Sequence, residues 1–348
     1  MYNKELNIGG LKPKLPIIQG GMGVGISLHS LAGHIAKAGG IGLLSAAQIG
    51  FKEPDFLTDN LAANCRAIHS ELKLAREIAP EGIVGINIMV ASKDYKELVE
   101  AAVDAGVDII VSGAGLPVTL PEYTKGSNVK LAPIVSSGRA ANIILRQWDR
   151  HYGVIPDLIV IEGPLAGGHL GFSVEDLENP RNVLDILPEV REVAKKYEEK
   201  YNKYIPIVVA GGIFDGNDVR EALESGADGV QMATRFVTTY ECDAPDSFKQ
   251  AYIDAKEDEI KIIKSPVGMP GRAIINDFLA NTPGNKACLY HCLAKCAITT
   301  IPYCISNALV NSASGNNQLV FCGQNASKCT KIEHVSDIME ELGEAIGF

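Results

Sequence analysis

The chain is 348 residues long, 46% apolar, and carries a formal net charge of −10. That length buries a large core and fits either one α/β barrel or two ordinary domains. The acidic balance is spread over stretches such as 189–200 and 254–259, which speaks for solubility and against a nucleic-acid partner. No apolar run approaches the roughly eighteen residues that span a bilayer, and residues 1–10 carry no basic-then-apolar leader. The expectation is a soluble, cytoplasmic protein, no membrane association, and eight reduced cysteines.

Runs rich in Val, Ile and Leu recur at 16–22, 40–46, 83–89, 108–113, 132–137, 158–163, 206–212 and 229–236. Near-continuous apolar runs are what parallel strands buried on both faces require. Between them, 28–38, 94–105, 217–225 and 247–256 repeat apolar residues every three or four positions, as helices with one buried face do. Two end in Lys37-Ala38-Gly39-Gly40 and Asp104-Ala105-Gly106, where glycine takes the left-handed cap. Eight such repeats predict an α/β fold of the TIM (β/α)8 barrel type. A doubly wound sheet is the rival, since Gly21-Met22-Gly23-Val24-Gly25 follows the first strand. It lacks the G-x-G-x-x-G spacing, and the second strand ends in Leu44-Ser45-Ala46 with no acid for a ribose.

The pattern changes near Lys264. We expect a barrel over 1–264 and a Cys-rich C-terminal extension or lid over 265–348, closing with an amphipathic helix at 335–346. Ser265-Pro266-Val267-Gly268-Met269-Pro270-Gly271-Arg272 is either part of a lid, with Arg272 meeting an anionic substrate, or a crossing loop shaped by Pro and Gly. Cys288, Cys292 and Cys296 stand at four-residue steps, followed by Cys304, Cys322 and Cys329. On a helix the first three share a face and could approach a soft metal or an iron–sulfur cluster. C-x-x-C spacing is absent, and buried thiols also serve as small apolar side chains, so no metal ligand is assigned. The remaining histidines show no metal-ligand spacing beyond the five-residue separation of His29 and His34.

In a barrel, the residues ending each strand converge on one face. They include Gly20, Gly21, Met22, Ser45, Asn87, Ser112, Ser136, Ser137, Glu162, Gly167, Gly168, His169, Gly211, Gly212, Gln231 and Thr234. Val209-Ala210-Gly211-Gly212-Ile213 and Gln231-Met232-Ala233-Thr234-Arg235 belong to the last two strands, where barrels bind phosphate on exposed backbone N–H groups. A tight turn is the alternative use of the glycine pair. Glu162-Gly163-Pro164-Leu165-Ala166-Gly167-Gly168-His169 delivers one acid and one imidazole to a single loop.

Pro16-Ile17-Ile18-Gln19-Gly20-Gly21-Met22, Gly85-Ile86-Asn87-Ile88-Met89, Ala166-Gly167-Gly168-His169-Leu170-Gly171, Ala210-Gly211-Gly212-Ile213 and Gly229-Val230-Gln231-Met232-Ala233-Thr234-Arg235-Phe236 occur in order. In these pieces the chain resembles the FMN-dependent nitronate monooxygenases, formerly 2-nitropropane dioxygenases, and the similar flavin-containing enoyl-acyl-carrier-protein reductases. The resemblance implies FMN across the barrel mouth, its phosphate near Gly211, Gly212, Met232, Ala233 and Thr234. It brings Gly20, Gly21 and Met22 close to the ring, with Asn87, Ser137 and Gln231 as polar contacts and Gly167 and Gly168 in the loop beside it. It makes His169 the catalytic residue, either a base toward the carbon next to a nitro group or a cation steadying an oxyanion. Glu162 could orient His169, polarise the ribityl chain or cap the loop.

The implied reaction is oxidation of an alkyl nitronate by dioxygen to a carbonyl compound and nitrite, with a small molecule as partner and a homodimer compatible. The alternatives on the same flavin barrel are an NAD(P)H-dependent enoyl reductase and an NAD(P)H:quinone reductase. Pro164-Leu165 lengthens the loop relative to the reductases and tilts the reading toward the first. A non-flavin barrel or a binding protein without catalysis forms a separate class.

Overall fold

The computed structural model describes residues 5–282, 288, 290–294, 296, 301–316 and 318–348. Eight parallel strands close a barrel: β1 (Ile17–Gln19), β2 (Ile41–Ser45), β3 (Ile83–Met89), β4 (Ile109–Gly113), β5 (Lys130–Val135), β6 (Ile159–Glu162), β7 (Ile207–Ala210) and β8 (Gly229–Met232). β8 pairs back onto β1, with Ile17 opposite Val230 and Gln19 opposite Met232. All eight sequence runs thus become barrel strands. Six end earlier than expected, β1 and β8 by the most: β1 stops at Gln19, and β8 gives way to a one-turn helix at Thr234–Val237.

Strand periodicity divides the core into two shells. Ile41, Leu43, Ile109, Val111, Val160 and Val208 point inward and pack together, while their neighbours Leu44, Ile110, Ile159, Ile161 and Val209 point outward under the helices. Leu6 and Ile8 join the inner shell, so the segment before β1 plugs the end of the barrel opposite the strand termini.

The helical ring comprises α1 (His29–Lys37), α2 (Asn60–Ile78), α3 (Tyr95–Ala105), α4 (Leu120–Tyr123), α5 (Gly138–Tyr152), α6 (Val183–Tyr201), α7 (Gly216–Glu224) and α8 (Val335–Ile346). Gly106 caps α3 in the left-handed conformation at φ 85°. α8 packs between α7 and α1 and so holds the eighth place in the ring. Its buried stripe is Val335, Ile338, Met339, Leu342 and Ile346. Arg235, just past β8 and almost fully buried, pairs with Glu341 of α8 at 2.5 Å and with Glu333 at 3.3 Å. The last helix is therefore barrel wall, and the segment before it is a long excursion between β8 and its returning helix.

That excursion forms a hairpin, Ile260–Lys264 against Pro270–Ile274, which a division after residue 264 would split. The strand Pro270–Ile274 also pairs antiparallel with Gly168–His169 of the loop after β6. No helix among the described residues is long and apolar enough to cross a membrane.

Candidate active site

A cavity of about 570 Å3 opens at the C-terminal mouth of the barrel, within the range that takes small-molecule ligands. Gly20, Gly21, Met22, Asn87, Glu162, Gly167, Gly168, His169, Gly211, Gly212, Gln231, Met232, Ala233 and Thr234 all line it. Ser137 does not: its hydroxyl accepts the Ala140 N–H at 3.2 Å and caps the N-terminus of α5. A serine after a strand and before a helix suits either job, and here capping takes it. Ser112 is likewise turned away, bonding the Ile88 carbonyl and the Tyr95 hydroxyl.

The β7 and β8 side of the cavity is bare backbone. Gly211 and Gly212 lie at φ 91° and 96°, where a side chain is strained, and a Cβ on Gly212 would stand 3.1 Å from Leu165. Asn325, from the excursion, fixes this turn by donating to the Gly212 carbonyl at 2.7 Å. On the β1 side a Cβ at Gly21 would come within 2.5 Å of the Asn87 Cβ, so that glycine is required by strand packing before any ligand is considered.

Two polar side chains face the cavity without protein partners. Gln231 Oε1 is buried and unbonded, and the Asn87 amide makes no hydrogen bond among the described residues. An orphaned buried acceptor costs about 1–3 kcal/mol, so this pair fits a ligand that carries both donors and acceptors. Together with the bare glycine turn, they suit a planar, phosphate-bearing cofactor.

His169 sits across the cavity. Its Nε2 lies 2.7 Å from Ser265 Oγ, and its ring meets Phe321 edge-on at 5.0 Å between centroids. Burial pushes the imidazole down to about 4 and leaves it neutral at ordinary pH. A neutral ring with so low a pKa is a weak base toward a carbon acid and a sound hydrogen-bond partner for an oxyanion. Of the two expected roles, this shift weighs against the cation and weakens the base. Glu162, at the end of β6, is desolvated too, and burial pushes its carboxyl up to about 7.

Arg272 does not reach the cavity. It is buried and donates to the carbonyls of Pro164, at 2.9 Å, and Ala166, clamping the loop that carries His169. Its expected role toward an anionic substrate gives way to this positioning one. Of the roof residues Val267, Met269, Leu293, Ile305, Leu309 and Phe321, all from the excursion, sequence reading singled out only the stretch holding Val267 and Met269, as part of a lid, and missed the other four. Ile305 and Leu309 stand one turn apart on the helix Ile305–Asn311, and the others follow no regular period. The one available signal was the apolar content of a segment that had to cover something.

A cavity of this kind, at the strand termini of a closed parallel barrel and holding two desolvated titratable groups, defines a barrel enzyme. The nitronate monooxygenase family model matches residues 4–345, and the chain belongs to that family of oxidoreductases.

Relatives include a probable nitronate monooxygenase of Staphylococcus saprophyticus, 26% identical over 295 residues and covering 78% of each chain. Another is a Rhodococcus jostii protein named (3aS,4S,5R,7aS)-5-hydroxy-7a-methyl-1-oxo-octahydro-1H-indene-4-carboxyl-CoA dehydrogenase. It is 25% identical over 264 residues, 76% of this chain and 64% of that one. Solved structures that share the fold include a nitroalkane oxidase from Streptomyces ansochromogenes, with TM-score 0.72, 21% identity and coverage of 96% of this chain and 97% of that one. FabK from Thermotoga maritima also shares it, with TM-score 0.71, 22% identity and coverage of 96% and 93%.

Proposed function

We propose that the protein is an FMN-dependent nitronate monooxygenase that converts alkyl nitronates and dioxygen to carbonyl compounds and nitrite. The observation that carries this reading is the pairing of a bare backbone turn at Gly211 and Gly212 with a neutral, desolvated His169 lining the same cavity. Bound there, FMN would supply the electron acceptor for the nitronate carbon and return the electrons to dioxygen.

The protein's own groups divide the remaining work. Backbone at Gly211, Gly212, Met232, Ala233 and Thr234 would hold the phosphate, and Asn87 and Gln231 would satisfy the polar groups of the ring. His169, with Ser265 fixing one ring nitrogen, donates to a nitronate oxygen and orients its carbon. Glu162, near neutrality, holds or releases a proton without the cost of a buried fixed charge. Val267, Met269 and Phe321 take the alkyl chain and exclude water. No lysine or arginine lines the cavity among the described residues.

The second reading, an NAD(P)H-dependent reductase of enoyl thioesters, draws on that same apolar roof, which suits an aliphatic chain. Anaerobic visible spectra separate the two. Loss of flavin absorbance on adding an alkyl nitronate alone is the expected result. Bleaching by NADH or NADPH with no response to nitronate overturns it.

A further inference from the structure

We propose that Cys288, Cys292, Cys296 and Cys304 ligate an iron–sulfur cluster of the [4Fe–4S] class that staples the roof over the active-site cavity. All four line a second cavity of about 210 Å3, whereas Cys65, Cys242, Cys322 and Cys329 lie elsewhere. The sequence spacing is C-x3-C-x3-C-x7-C. The expected helix carrying the first three is not what brings them together, because Cys288, Cys292 and Cys296 are in irregular backbone and Cys304 immediately precedes the helix Ile305–Asn311. Four thiols reach one cavity from two segments, held in place by main-chain bonds from Lys93 N–H to the Cys292 carbonyl at 3.0 Å and from Ala294 N–H to the Ala91 carbonyl at 3.1 Å.

The chemistry of the lining selects the ligand. Four thiols are soft donors, and among the described residues no carboxylate accompanies them; the other ionisable side chains described there are Lys93 and His291. A cluster with four thiolates is a net anion, and Lys93 supplies the countercharge. Among the described residues no three Cys, His, Asp or Glu side chains converge closely enough to hold a single ion. Thiols standing apart around a void suit a polynuclear cluster better than zinc, which gathers its four ligands at about 2.3 Å from one centre.

Binding releases the four thiol protons as four Fe–S bonds form, and its free energy becomes folding free energy for the segment. The segment matters because Cys292, Leu293, Ala294 and Ile305 border both cavities. The cluster thus fixes the apolar roof above His169 and adds to the site proposed above without depending on its substrate.

Iron and acid-labile sulfide are measured on the whole protein purified without oxygen, then again after reconstitution with sulfide and equal amounts of ferrous and ferric iron, which together sum to the dicationic cluster. About four of each per chain are expected, with a low-temperature electron paramagnetic resonance signal after dithionite. Cys292→Ser and Cys304→Ser lower the iron several-fold, and Cys65→Ser leaves it unchanged. About one zinc per chain without sulfide overturns the proposal, as does reconstituted protein that binds no iron or sulfide. If the serine variants do not fold, the wild-type analysis decides alone. Since the readout is elemental, it is independent of nitronate or nicotinamide reactivity.

Discussion

The β7 and β8 side of the active-site cavity presents Gly211, Gly212 and the backbone around Met232, while the roof presents the side chains of Val267, Met269, Leu293, Ile305 and Phe321. The first belongs to a closed hydrogen-bonded barrel. The second belongs to an excursion that enters through one hairpin and returns only at α8. Rigid backbone suits a cofactor of constant shape, and apolar side chains on irregular chain suit a substrate that differs among relatives. The two sides meet at His169, whose loop pairs with the hairpin strand Pro270–Ile274 and whose ring touches Phe321.

Removing α8 tests how far the excursion is part of the barrel, and it carries the largest expected effect. Truncation after Glu333 removes Val335, Ile338, Met339, Leu342 and Ile346, uncovers the faces of α1 and α7 that they cover, and breaks the Arg235–Glu341 pair. At about 1.5–3 kcal/mol for each buried side chain, the loss is on the order of 10 kcal/mol, comparable to the whole stability of a domain. Aggregated protein is expected. A soluble, cooperatively melting truncation shows instead that α8 is an accessory.

Gly212→Val breaks the cofactor side alone. Strain at φ 96° and the contact with Leu165 deform the turn, so the variant is expected to purify folded, by circular dichroism, and colourless. Full flavin content moves the phosphate site elsewhere. His169→Ala keeps the flavin and removes the donor between the two sides. Its expected loss is about 10²-fold or more in flavin reduction by nitronate, the scale of an oxyanion donor. Unchanged reduction kinetics exclude the residue from the reaction. Phe321→Ala, on the roof side, removes the aromatic edge against His169 and part of the alkyl pocket. A rise in KM of several-fold, with kcat less affected, is expected from roughly 1–3 kcal/mol of apolar contact. A fall confined to kcat assigns Phe321 to positioning His169.

The same contrast explains what could be read from sequence. Parallel strands buried on both faces leave apolar runs that survive without context, so all eight appear. Glycines at strand ends marked the cofactor side for the same reason, since their cause is local. The roof has distant causes. Gly271 pairs with His169 across about a hundred residues, Phe321 reaches the site through an isolated bridge to Ala273, and nothing in 335–346 announces that it packs on α1. Ser137 was misplaced because strand–Ser–Gly–helix describes a cap as well as a ligand, and Arg272 because a lone cation in a loop looks exposed until its carbonyl partners are known.

The last expected effect appears only across a pH window; it concerns the two desolvated groups and sets them against each other. Glu162 has its carboxyl raised from 4.5 to about 7 by burial, so the folded chain binds more protons than the unfolded chain between those values. Its contribution is full below pH 4.5 and is lost as pH rises through about 7. His169 is lowered from 6.5 to about 4, so the unfolded chain binds more protons there. Its contribution is full above 6.5 and is lost as pH falls through about 4. From pH 4.5 to 6.5 the slopes oppose and nearly cancel. Glu162→Gln removes one of them without emptying the space. Relative to wild type, its unfolding free energy in urea is then expected to gain up to about 3 kcal/mol between pH 4.5 and 7, with the difference flat outside that window. Parallel profiles for the two proteins would mean that Glu162 titrates as an ordinary solvated carboxylate, which would remove the proton-holding role given to it beside His169.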